Sequence, residues 1–158
     1  MRILILDDEK NVALATIKTM RDFEFTYVDN LIDFNEFIYM DLQKSPNDRF
    51  DYYIVDLQID LGILTLEEYS ELIPNMFTTE STVIDDDIYL YGWDYFKNII
   101  WPNDKFMDDR TERFVLLTGH LEILKRKKII DLCPGVQAVK KQGEGVVQKL
   151  LGILKEKR

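Results

Sequence analysis

Sulfhydryls, basic residues and long apolar runs are all scarce in this chain. Its one cysteine, Cys133, excludes an internal disulfide and suits a reducing compartment. Positive charge is in deficit: 20 Lys and Arg against 29 Asp and Glu give a net charge of -9 at pH 7. A nucleic-acid reader needs a basic face to displace counterions, so no direct nucleic-acid contact is expected. No apolar run approaches the roughly 20 residues that span a bilayer, and the N-terminus lacks a basic region, a long apolar region and a small-residue cleavage site. The expectation is a cytoplasmic protein with no membrane contact. Repeats, low-complexity tracts and dividing linkers are missing too. One domain over 1–158 follows, large enough to bury a core without disulfides or structural metals.

The charge that is present is unevenly placed. Residues 57–91 hold Asp60, Glu67, Glu68, Glu71, Glu80, Asp85, Asp86 and Asp87 and no Lys or Arg, while the rest of the chain is close to balance. Short Ile-, Val- and Leu-rich runs recur at "ILIL" (3–6), "FTYV" (25–28), "YYIV" (52–55), "FVLL" (114–117) and "VQAV" (136–139), and these read as buried strands. Helical spacing lies between them, in Ala13, Ile17 and Met20; in Phe34, Phe37, Ile38 and Leu42; in Trp93, Phe96 and Ile100 before Pro102; and in Val146, Val147, Leu150, Leu151 and Leu154. The stretch "HLEILKRKKIIDLCPG" reads as a less regular helix stopped by Pro134 and Gly135. Strands alternating with helices predict βαβ units, a parallel sheet and a three-layer α/β fold. In "TLEEYSELIPNMF", Thr65 and Glu68 make a capping box for a short helix that Pro74 ends, whereas "TTESTVIDDDIYLY" carries no clear pattern.

In such folds ligands sit beyond the carboxyl ends of the strands. Those ends deliver Asp7 and Asp8, then Asp56, Thr118, and one of Lys141 and Lys140. Lys141 is preferred because it puts apolar Val139 two residues before the lysine. Carboxylates that converge around a single lysine repel one another, whereas Mg²⁺ takes oxygen ligands and offsets that charge. Phosphoryl transfer needs the same set of groups: cations to neutralise oxygens, a hydroxyl to donate, and a carboxylate nucleophile. Asp56, fixed by a strand and separate from the acidic pair, is the best nucleophile.

The ordered motifs "ILILDDE", "YYIVDL", "GWDYFKNI", "VLLTGH" and "AVKK" resemble the receiver domain of two-component response regulators. The resemblance spans nearly the whole chain outside an insertion at about 60–91, between the third strand and the third helix. It implies a flavodoxin-like (βα)5 fold with sheet order 2-1-3-4-5, and phosphorylation of Asp56 by a histidine kinase or phosphotransfer protein. It also implies Mg²⁺ on Asp8, Asp56 and the Gln58 carbonyl, with Asp7 through water. Thr118 and the lysine would respond to the phosphoryl group, and a downstream partner would bind the fourth helix, fifth strand and fifth helix. The chemistry implied is the protein's own phosphorylation and dephosphorylation, not turnover of a substrate.

The chain departs from the family pattern in four places, one of them Ala138, which stands three residues before Lys141 where an aromatic is usual. In the other three, the loop after Asp56 is greatly lengthened, Asp60 stands where a proline is usual, and Lys141 is followed by Gln142. His120 is expected as an exposed loop residue. Lys125 to Lys128 is a solvated helix face or a docking site for an acidic partner. The insertion, with Leu64, Leu66, Leu72, Ile73 and Phe77, is expected to pack on the domain and shield the site. Because the chain stops soon after the fifth helix, a stand-alone receiver signalling by contact is expected. Two other readings remain: a receiver that binds partners without phosphorylation, and a Mg²⁺-dependent phosphohydrolase, against which the adjacent acids Asp7 and Asp8, with Glu9 in the place of the general acid, argue.

Overall fold

The computed structural model describes residues 1–8, 12–20, 22–78 and 80–156, except for the side chains of 12, 13, 155 and 156, so Glu9 and the Ala13 side chain lie outside the described residues. Each apolar run becomes a strand. β1 (Arg2–Leu6), β2 (Glu24–Val28), β3 (Tyr52–Asp56), β6 (Phe114–Thr118) and β7 (Gln137–Lys140) form one parallel sheet in the order β2-β1-β3-β6-β7. Parallel pairing needs crossover helices on the faces, and the strands alternate accordingly between two buried sides. Ile3, Ile5, Tyr52, Ile54, Val115 and Leu117 pack against Leu14 and Ile17 of α1 (Val12–Lys18) and Leu150 and Leu154 of α6 (Val146–Glu156). Leu4, Leu6, Tyr53, Val55, Phe114 and Leu116 face α2 (Leu31–Leu42), α4 (Tyr91–Tyr95) and α5 (Leu121–Arg126). The result is three layers of α/β class. No helix among the described residues is long and apolar enough to cross a membrane.

The acidic segment after β3 builds α3 (Leu66–Leu72) and a small antiparallel hairpin, β4 (Val83–Ile84) with β5 (Ile88–Tyr89). The capping box forms in both directions, Glu68 N to Thr65 Oγ1 at 3.2 Å and Thr65 N to Glu68 Oε2 at 2.9 Å. Tyr69, Ile73, Met76, Ile84 and Leu90 extend the same core that α2 and α4 bury, so the segment is continuous with the domain. Leu64 and Phe77 pack on that core as expected, but Leu66 and Leu72 are exposed. The seven-residue helix turns one narrow face inward, and Tyr69 and Ile73 occupy it. The buried carboxylate of Asp94 ties the hairpin to α4 by accepting from Thr82 N (3.1 Å) and Thr82 Oγ1 (2.8 Å).

The helix expected through the stretch ending at Pro134 is cut short at Arg126. Lys128 takes the left-handed conformation (φ 57°), Ile129 N donates to Leu124 O and Lys128 N to Lys125 O, which is a Schellman stop with lysine in the usual glycine position. The four cations thus crowd the helix end, where they favourably meet the carboxyl end of its dipole, and not a continuous helical face. The stripe at 93–100 runs as α4 into a π-helical turn, Phe96–Ile100, closed by Trp101 N to Phe96 O at 2.8 Å.

Candidate functional site

Asp56 is the last residue of β3, flanked by β1 and β6 in the middle of the sheet, and it is fully buried. A carboxylate there needs partners. Lys141, also buried, places its ammonium on Asp56 Oδ2 and 3.4 Å from Asp7 Oδ1, while Gln58 N donates to Asp56 Oδ1 at 3.0 Å. Asp7, at the end of β1, is buried beside it, and Asp8 is exposed at the rim. One oxygen from each of Asp7, Asp8 and Asp56 lies within 4.8 Å of the others. The expected acids therefore do converge.

Two lysines were candidates, and their surroundings differ. Lys140 turns outward and pairs with Glu122 at 2.8 Å on the surface, so Lys141 alone reaches the acids. The strand alternation that buries Val139 explains this, since Lys141 falls on the same side two residues on. Lys141 N also donates to Thr118 O at 2.9 Å, which holds the two strand ends together.

Thr118 ends β6 one position after Leu117, the register partner of Asp56, and is buried. Its Oγ accepts from His120 N at 3.0 Å and so shapes the entry to α5, while its hydroxyl proton can point elsewhere. His120 lies in a turn at the surface, as expected, but is less exposed than a free loop residue. It is half-buried at the N-cap of α5, with Nε2 3.2 Å from Gln58 Oε1, because the tight Thr118 turn folds it back over the loop that follows β3.

Burial raises the Asp56 carboxyl from 3.8 to about 7, against the opposing pull of Lys141 and the Gln58 amide. The neighbouring Asp7 adds to the rise. With no cation beyond Lys141, the group is poised near neutrality.

Three contributors carry no signal in residue type alone. Tyr27 of β2 hydrogen-bonds Asp7, and burial followed by the Asp7 charge pushes its phenol up to about 12. Its alternation within "FTYV" marked it only as part of a strand. Asp60 N donates to Asp8 Oδ2 at 2.9 Å, which ties the start of the insertion to the rim of the site. Gly92 packs so closely on the strand end that a Cβ there would lie 2.0 Å from the Asp56 carbonyl oxygen. Its amide donates to Leu57 O at 2.9 Å.

Comparison of the chain with protein-family models, with curated proteins and with solved structures finds no match.

Proposed function

We propose that the protein is a phosphorylation-dependent signalling domain of the receiver class, in which Asp56 accepts a phosphoryl group from a phosphohistidine of a histidine kinase or phosphotransfer protein. The observation that carries the reading is the buried Asp56 carboxylate at the end of the central strand, ion-paired to Lys141 and clustered with Asp7 and Asp8. The sheet supports it as well. With the β4–β5 hairpin set aside, β2-β1-β3-β6-β7 has the 2-1-3-4-5 order of a flavodoxin-like receiver.

The donor set suits Mg²⁺. Asp7, Asp8 and Asp56 each bring a hard carboxylate oxygen within 4.8 Å of the others, the donor type that Mg²⁺ takes. Asp8 and Asp56 would hold it, with the Gln58 carbonyl and, through water, Asp7. A bound Mg²⁺ supplies positive charge that lets carboxylates and phosphoryl oxygens approach one another. In the transfer, an Asp56 oxygen bonds to phosphorus while the P–N bond to the imidazole breaks and its electron pair leaves with the nitrogen. Lys141 and the Gln58 amide hold the carboxylate ionised and oriented for that attack, and Thr118 donates its hydroxyl to a phosphoryl oxygen. Once Asp56 is an acyl phosphate its carboxylate charge is gone, and the phosphoryl oxygens draw Lys141 away from its pairing with Asp7 and Asp56, which shifts β7 and its neighbours. The downstream partner surface is α5, β7 and α6, where Lys125 to Lys128 stand exposed. The expected setting is the cytoplasm.

One observation favours a second reading, a receiver that binds partners without being phosphorylated. Asp7 and Asp56 are wholly buried, and Asp60 N already occupies Asp8. Intact-mass spectrometry after incubation with Mg²⁺ and an acyl phosphate or phosphoramidate separates the two. A single phosphoryl adduct, absent in Asp56→Asn and in excess chelator, is expected. No adduct from any donor, with no beryllofluoride binding, would favour the phosphorylation-independent module.

A further inference from the structure

The β4–β5 hairpin has an inner face, Ile84 opposite Ile88, that packs into the core. By strand alternation its outer face should be polar. It carries instead Val83 opposite Tyr89, 37% and 43% exposed. Tyr89 stacks on Tyr91 with centroids 5.5 Å apart and planes 8° from parallel, and Tyr91 meets Phe77 edge-on at 6.0 Å. Val83, Tyr89, Tyr91 and Phe77 thus make one continuous apolar and aromatic strip on the surface of the insertion.

Its surroundings have one sign of charge. Glu80, Asp85, Asp86 and Asp87 are exposed beside it, and no Lys or Arg occurs anywhere in 57–91. Tyrosine faces bordered by carboxylates attract ammonium and guanidinium groups, because the ring quadrupole and the acids pull in the same direction. The apolar stems of Lys and Arg can lie along Val83 and Tyr89 while their heads reach the acids. A second copy meeting this face with its own would set two acidic surfaces against each other, which disfavours a symmetric dimer as the occupant.

We propose that the outer face of this hairpin is a docking surface for a Lys- or Arg-bearing amphipathic segment of a protein partner. Docking uses the insertion alone and does not depend on phosphorylation. It does sit at the edge of the carboxylate site, because Tyr91 leads directly into Gly92, which packs on Asp56.

Fluorescence anisotropy with a labelled amphipathic peptide of about 20 residues tests this, with Leu at helical spacing and Lys elsewhere, and a Leu/Glu peptide as control. The Leu/Lys peptide should bind and the Leu/Glu peptide should not. Tyr89→Ala, at unchanged melting temperature, should weaken binding at least tenfold; Val83→Ser serves as a second variant. Asp85→Asn/Asp86→Asn/Asp87→Asn should weaken binding and flatten its salt dependence, and Asp56→Asn should bind like the wild type. Equal affinity for wild type, Tyr89→Ala and Val83→Ser would overturn the proposal, as would no binding of the Leu/Lys peptide or loss of binding in Asp56→Asn. Sedimentation showing a dimer that Tyr89→Ala dissolves would also overturn it, by making a second copy the occupant.

Discussion

Replacing Gly92 by Ala adds one methyl group where the chain has no room for it. The new Cβ would stand 2.0 Å from the Asp56 carbonyl oxygen and 2.9 Å from Leu57 Cα, whereas real Cβ contacts essentially never fall under 3.0 Å. Backbone therefore has to move by about 1 Å. It is held backbone: Leu57 N donates to Leu117 O at 2.9 Å, and Gly92 N to Leu57 O at 2.9 Å. Overpacking against atoms that cannot swing aside costs ~3 kcal/mol. That is a large share of the ~5–15 kcal/mol that keeps a domain folded. For a chain of this size it lowers the melting temperature by roughly 6–12 °C. Urea denaturation followed by the fluorescence of buried Trp93 and half-buried Trp101 reads the loss. Gly152→Ala is the control, since nothing lies within 4 Å of its Cβ and it sits inside α6. That substitution should gain ~0.5–1 kcal/mol. The same displacement falls on the backbone that carries Asp56, so the variant should also be phosphorylated more slowly while still folded at low temperature. A Gly92→Ala protein as stable as the wild type, or a Gly152→Ala protein equally damaged, would refute the close-packing argument.

Without divalent cations, the contribution of Asp56 to stability should be fully present below about pH 4 and be lost as pH rises through about 7, because burial raises its carboxyl in the folded state from 3.8 and favours the protonated form, so the difference between wild type and Asp56→Asn isolates it. The full span corresponds to at most ~4 kcal/mol. Denaturant titrations across pH should show this slope in the wild type, not in Asp56→Asn, and reduced by millimolar Mg²⁺; parallel curves for the two proteins would contradict it. Lys141→Ala strips the acids of their buried cation and should cost ~3–5 kcal/mol near neutral pH, with partial rescue by Mg²⁺. Lys140→Ala breaks only an exposed pair and should cost under about 1 kcal/mol, so equal effects of the two lysine variants in thermal melts would count against the assignment. Asp94→Ala removes the acceptor of two Thr82 bonds and should raise hydrogen exchange over 80–90 while leaving β1 and β3 protected. Unchanged exchange there would show that the hairpin is held by its apolar contacts alone.

The central sheet was legible because its inner strands β1, β3 and β6 are short apolar runs buried on both faces, while the edge strands β2 and β7 mix in Thr26 and Gln137 and were read from their Val-rich neighbours. The acids and the lysine could be placed because they end those runs, where a parallel sheet opens to ligands. The choice of Lys141 rested on the same alternation, through Val139. Residue type gave less guidance where local geometry decides. β4 and β5 are two residues each, too short for a period to show, and their register depends on a turn that puts Asp85 at φ 48°. The end of α5 has lysine in place of the glycine that usually marks it, so the helix looked longer than it is. Tyr27, Asp60 and the His120–Gln58 contact join the site only through tertiary folding. The insertion's leucines read as core from hydrophobicity alone, but a seven-residue helix has one buried face, and Leu66 and Leu72 fall off it.

The most direct measurement of the central claim is chemical trapping of the phosphorylated residue. After incubation with Mg²⁺ and a phosphodonor, borohydride reduction converts an aspartyl phosphate into homoserine, and peptide mass spectrometry locates it. The account predicts homoserine at position 56 alone, dependent on Mg²⁺ and strongly reduced in Lys141→Ala. Homoserine at position 7 or 8, or a phosphoryl group on His120, would contradict the assignment of Asp56 as the phosphoacceptor.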